Sequence, residues 1–178
     1  ARIGLLLAAA YLSIGWLQHQ RAEEAIRATI IQRGHEAGKL TVKPTMGNLL
    51  LWRSIYRSGD TYHVDAVRAG LGAARIYPGT TAPAFNLSRD MPALSTTSLL
   101  HRDIRRFEFF SDGYLALHPE DTGLLGDVRY AMLPTSTRPL WGIRLDLQHP
   151  EAHAQFETSR RMSSQEIDSF TGMLRGAD

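Results

Sequence analysis

The chain has 178 residues, a formal net charge of +2 and no cysteine. This length suits one domain carrying an attached arm. The missing thiols exclude a disulfide framework, a thiolate metal site and a cysteine nucleophile, and the near-neutral balance gives no electrostatic case for a nucleic-acid partner. The basic residues are 18 arginines and only Lys39 and Lys43. That bias fits carboxylate or phosphate contacts, and it equally fits a compositional habit of the source.

The chain opens on Ala1 rather than Met, so the expectation is a piece of something longer. Ile3 to Leu17 is uncharged and almost wholly apolar. It is shorter than the roughly 20 residues that a helix needs to span a bilayer, so it reads as the last part of a transmembrane helix. The alternative is a buried helix of a soluble core. Tyr11 and Trp16 suit a membrane interface. From Gln18 the same helix continues as an amphipathic rod to about Ala37. Ala22, Ala25, Ile26, Thr29 and Ile30 form its stripe, and Gly38 is the expected C-terminal stop. A helix over 3–37 would be about 50 Å long. Arg21, Arg27, Arg33, Lys39 and Lys43 follow the apolar run and point to the cytoplasmic side, while Arg2 on the other flank counts against it. Residues 1–38 are thus the helical arm and 39–178 an extramembrane domain.

Leu40 to Lys43 is β-prone and closed by Pro44, and Thr45 to Asn48 forms a turn. Leu49 to Arg57 then reads as a strand covered on both faces at its start. Ser58-Gly59-Asp60 is a tight hairpin turn, and Thr61 to Ala69 returns with Tyr62, Val64 and Ala66 on one face. Ala73 to Asn86, interrupted by Pro78-Gly79 and Pro83, reads as an irregular loop. Ser88 to Asp90 would cap a helix running to about Phe110, with Met91 and Pro92 in its first turn. A short strand over 114–118 follows, then a loop over 119–123. Leu124 to Leu133 and Pro139 to Leu147 form a second antiparallel pair. Ser163 with Glu166 signals a capping box for a last helix. Antiparallel hairpins separated by helices make the class α+β: a long N-terminal helix followed by hairpins packed with two further helices.

No Gly-x-Ser-x-Gly, HExxH, Walker or GxGxxG pattern is present, and no catalytic residue stands out. Among the seven histidines, His149-x3-His153 is spoiled by Pro150. His63-x-Asp65 shares a strand face without an identifiable third ligand, so no metal site is assigned within this chain. Asp127 with Arg129, and Arg144 with Asp146, read as a cross-strand charge ladder; the arginines could instead clamp an anion or carboxylate. Arg53, inside a strand of Leu and Trp, needs a partner: Asp60, Asp65, Asp127 or a run of backbone carbonyls. Arg53, Arg129 and Arg144 are therefore the candidate residues for an anionic ligand or lipid headgroup.

The stretch holding Pro44, Asn48, Leu50, Leu51, Trp52, Arg53 and Tyr62 resembles the membrane-bound metal-dependent hydrolases of bacteria, of the YdjM/YbcI type. Their C-terminal region opens with a proline turn, Asn-Pro, two apolar residues and Trp-Arg, then a Tyr in the next strand. Leu49 stands where that family usually has proline, and the likeness covers roughly residues 1–70. The resemblance implies an inner-membrane protein whose histidine motif, and any divalent metal, belongs to preceding spans. This chain would then be an accessory or substrate-positioning domain, partnered by membrane lipid and by those spans. The alternative is a non-enzymatic module that binds an anionic ligand or headgroup at the membrane surface.

Overall fold

The computed structural model describes residues 2–177, which form two four-stranded antiparallel sheets with helices on their outer faces. The class is α+β, and the long N-terminal helix is present. Helix α1, Arg2–Gln32, ends earlier than Gly38 would suggest, because Gly34 adopts a left-handed φ of 67° and turns the chain.

The first sheet is a meander in the order β1 (Leu40–Pro44), β2 (Leu51–Ser58), β3 (Thr61–Arg68), β4 (Arg75–Pro83). Strand β4 corrects the expectation of an irregular loop over 73–86. A bulge between His63 and Asp65 shifts the register so that Asp65 stands opposite Pro78 and His63 opposite Thr81. The lost ladder position is where the Pro78-Gly79 pair is accommodated at this sheet edge.

Two helices occupy the region expected to hold one. Helix α2 is a single turn, Leu87–Asp90, capped by the Asn86 side chain. Helix α3, Leu99–Phe110, starts only after Pro92, with the Ser98 hydroxyl accepting from the His101 N–H. The second sheet has the order β5 (Leu115–His118), β6 (Asp121–Asp127), β7 (Trp141–Arg144), β8 (Phe156–Thr158). Strand β6 begins inside the expected 119–123 loop, and β8 carries no alternation that would have marked it. Helix α4, Ser164–Arg175, has the capping box formed by Ser163 and Glu166.

Period-two alternation divides the core into layers. Trp52, Tyr56 and Val67 face Ala22, Ile26 and Ile30 of α1. The opposite face of the same strands presents Ile55, Tyr62 and Val64 to Tyr114, Ala116 and Val128 of the second sheet region. Leu115, Leu125 and Ile143 in turn pack under Leu100, Ile104 and Phe107 of α3. Leu51 and Ala66 meet Met173 of α4. Sheet one thus lies between α1 and sheet two.

Candidate functional site

Helix α1 divides at Gln18. Its second half is core, whereas Ile3, Leu5, Leu6, Leu7, Tyr11, Leu12, Ile14, Trp16 and Leu17 are 53–75% exposed. These positions cover every side of the helix, so no solvated polar face exists over 3–17. The expectation of a helix buried in a soluble core therefore does not describe this segment. Among the described residues, no helix is long and apolar enough to cross a membrane.

The exit of this arm is built by the Pro44–Trp52 stretch. Pro44 closes β1, and the Asn48 side chain bridges the turn by accepting from the Leu50 and Leu51 N–H groups at 3.0 and 2.7 Å. Leu49 has its side chain against Gly15 of α1, where an added Cβ would stand 3.5 Å away. Trp52 is buried, donates from Nε1 to the Leu49 carbonyl at 3.1 Å, and meets the His19 ring edge-on at 5.4 Å. Tyr62 anchors the far side of the sheet, donating to the Gly113 carbonyl at 2.7 Å; burial pushes its phenol up to about 12. Leu49 and Trp52 hold the helix to the sheet, and Tyr62 holds the sheet's other face to the Gly113–Tyr114 segment.

The three arginines all have partners inside the protein. Arg53 is buried, and of the partners open to it the backbone carbonyls are the ones it uses. Its Nη1 donates to Pro134 and Ser136 and its Nη2 to Val128, each at 2.8 Å. Burial pushes the guanidinium down to about 9, opposed by the charge of Asp127, so it remains cationic at neutral pH. Arg129 grips the fully buried Asp127 at 2.6 Å and donates to the Phe110 carbonyl at 3.0 Å. Arg144 lies between Asp121 and Glu157, with contacts of 2.7 Å to each. The fold brings Arg53 and Arg129 together at segment 127–129 and leaves Arg144 at the opposite end of β6. The expected ladder is thus replaced: Asp146 pairs with His149 at 2.9 Å, and Arg129 pairs within its own segment.

His63 and Asp65 do share a face, but Arg33 occupies both Asp65 oxygens at 2.7 and 2.9 Å. His149 and His153 turn to different carboxylates, Asp146 and Asp103, each at 2.9 Å. Among the described residues, no group of three or more acidic or histidine side chains is placed to hold a metal ion. An open cleft of about 610 Å³ lies between Lys39, Arg57, Tyr62, Asp112 and Tyr114. Of its charged lining, Lys39 pairs with Asp112 and Arg57 with Asp60, and Glu36 also faces it.

The polar cluster of Arg33, His35, Tyr56, His63 and Asp65 is the feature that sequence reading missed. The Tyr56 hydroxyl accepts from Arg33 at 3.1 Å and shares a hydrogen bond with His35 Nδ1 at 2.9 Å. The His63 ring stacks on Tyr56 at 5.0 Å and lies 4.4 Å from His35. Only the His63/Asp65 spacing hinted at it. In comparisons with known proteins, no family model, no curated protein and no solved structure matches this chain.

Proposed function

We propose that this protein is membrane-anchored: the apolar arm 3–17 sits in lipid and the two-sheet body stands outside it. As the resemblance to membrane-bound metal-dependent hydrolases implies, the body serves as the accessory or substrate-positioning domain of such an enzyme. On this reading it lies at a bacterial inner membrane, on the cytoplasmic or the periplasmic side, with the basic residues after the arm favouring the cytoplasmic one.

One observation carries the anchoring. Nine large apolar side chains over 3–17 are more than half exposed. Fully burying such a side chain is worth about 1.5–3 kcal/mol, so even the exposed part of the nine is comparable to the roughly 5–15 kcal/mol that holds a whole domain folded. A surface of that magnitude needs a cover, and a helix apolar on every side suits lipid. The second reading, an anionic-ligand or headgroup module using Arg53, Arg129 and Arg144, has less support, since Arg129 and Arg144 are engaged by carboxylates of the protein and Arg53 by backbone carbonyls.

Flotation with phosphatidylcholine vesicles tests the anchoring. The protein should rise with the vesicles, and a Leu6→Asp/Leu12→Asp variant with an unchanged circular dichroism spectrum should stay in the dense layer. Wild-type protein that is folded yet fails to float would refute it. The accessory role is tested in the longer protein implied by the resemblance: no bound metal, and no loss of activity on changing the preceding histidines, would remove it.

A further inference from the structure

In a four-stranded meander, the first and third connections lie at the same end of the sheet. The β1–β2 turn (45–50) and the β3–β4 turn (69–74) accordingly stand side by side, joined by the Ala69 N–H donating to the Leu50 carbonyl at 2.8 Å. Helix α1 crosses the sheet from this end. Gly15 meets Leu49, Ala22 and Ile26 meet the Trp52 region, and Arg33 reaches Asp65 further along. Both turns therefore flank the helix at the level where its surface changes from apolar to polar.

Each turn carries an outward apolar tip. Met46 is 94% exposed and Leu71 is fully exposed, and Leu50 in the first turn is also exposed. In water such tips gain nothing; Met46 precedes Gly47, whose φ of 75° turns the chain, and Leu71 sits between Gly70 and Gly72. The polar groups of the turns are satisfied from within. Asn48 takes the Leu50 and Leu51 N–H groups, and Arg21 donates to the carbonyls of Gly70 and Gly72. Neither turn contains a charged residue. Leaving aside the buried Arg53, the charges that border them in sequence are Lys43, Arg68 and Arg75, with Arg21 on the helix; all are basic, and they also donate to neutral oxygens within the protein, those of Tyr130, Leu174, Gly176 and Gly70.

We propose that Met46 and Leu71 form a membrane-docking edge: the two turns dip into the interface of an anionic bilayer, and the body is held against the surface rather than swinging on the arm. This rests on the anchoring reading above and adds a second, independent contact. Apolar tips with internally bonded backbone enter the headgroup region at low cost, and the basic border meets acidic headgroups.

The absence of native cysteine makes the test direct. Single cysteines are introduced in place of Leu7 (arm), Met46, Leu71 and Glu151, the last beside the start of α3 in the layer remote from α1. Each is labelled with the environment-sensitive dye NBD, and vesicles of phosphatidylcholine with and without phosphatidylglycerol are added. The expected result is a blue shift and gain of emission at 7, 46 and 71 but not at 151, with the signals at 46 and 71 larger on the anionic vesicles. An unlabelled Met46→Asp/Leu71→Asp protein should bind these vesicles about tenfold or more weakly per tip lost. A shift at 7 with none at 46 and 71 overturns the docking edge and leaves the anchor standing. No shift at any position overturns both.

Discussion

Asp65, in the middle of β3 and only 1% exposed, has both carboxylate oxygens bonded by Arg33, one residue beyond the end of α1. This pair ties the last turn of the long helix to the centre of the first sheet. Asp65 also accepts from the Gly79 N–H at 3.3 Å, so a single buried carboxylate joins α1, β3 and β4. Removing Arg33 strands that carboxylate in the core. Arg33→Ala should destabilise the protein by about 3 kcal/mol. The Arg33→Ala/Asp65→Ala double variant should be no less stable than Arg33→Ala alone, because it leaves no uncompensated charge. Urea denaturation of the wild type, Arg33→Ala, Asp65→Ala and the double variant closes the cycle, and additive losses would contradict the pairing.

Arg53 does for the two sheets what Arg33 does for the helix. Its guanidinium gathers the carbonyls of Val128, Pro134 and Ser136, fastening the 128–136 segment onto β2. Arg53→Ala leaves three buried or half-buried carbonyls without donors and should cost about 3–5 kcal/mol. Arg53→Lys keeps the charge but not the fork, and should recover less than half of that loss. Thermal unfolding monitored by circular dichroism distinguishes the two. A neutral Arg53→Ala would mean that the 128–136 segment is held by other contacts.

Gly79 marks the closest approach between that segment and β4. A Cβ built on it would lie 2.4 Å from the carbonyl oxygens of both Thr135 and Val64, which are backbone atoms with nowhere to go. Gly79→Ala should therefore destabilise by about 2–3 kcal/mol, although alanine is ordinarily tolerated in a strand. Gly72→Ala, where an added Cβ meets nothing within 4 Å, serves as the control and should be close to neutral.

Stability should also depend on mildly acidic pH through His63. Burial first, then the electrostatic influence of His35 and Arg33, hold its pKa below the ordinary histidine value, while Asp65 pulls the other way. The folded state thus binds this proton less readily than the unfolded chain. The associated stability is complete above the ordinary value of about 6.5 and declines as the pH falls through it toward the lowered folded value. His118, lowered by burial and by Arg138, acts in the same direction. Urea midpoints measured from about pH 7.5 down to 5 should fall, and His63→Phe, which preserves stacking on Tyr56, should flatten the decline. An unchanged slope in that variant would assign the effect elsewhere.

The features legible from residue order are the local ones. The Ser58-Gly59-Asp60 turn, the Ser163/Glu166 capping box and the alternation of Tyr62, Val64 and Ala66 follow from neighbours within a few positions. Strand β4 was not legible, because Pro78-Gly79 is a loop signal in isolation. Only the bulge at His63/Asp65 on the adjacent strand makes room for it. The true start of α3 was hidden in the same way: two capping residues, Asn86 and Ser98, stand close together, and the break between them follows from the chain turning at Pro92.

The change of character at Gln18 belongs to the sequence alone, fifteen uncharged residues followed by an amphipathic stripe, but that the first stretch leaves the domain is decided by the exposure of its side chains in the fold. Tertiary structure decided the rest. The partners of Arg53 lie 75–83 residues away, and those of Arg144 lie on two different strands. Met46 and Leu71 become one edge only because a meander returns alternate turns to the same end of the sheet. Charge pairing and surface patches depend on distance in space, and folding, not spacing along the chain, sets that distance.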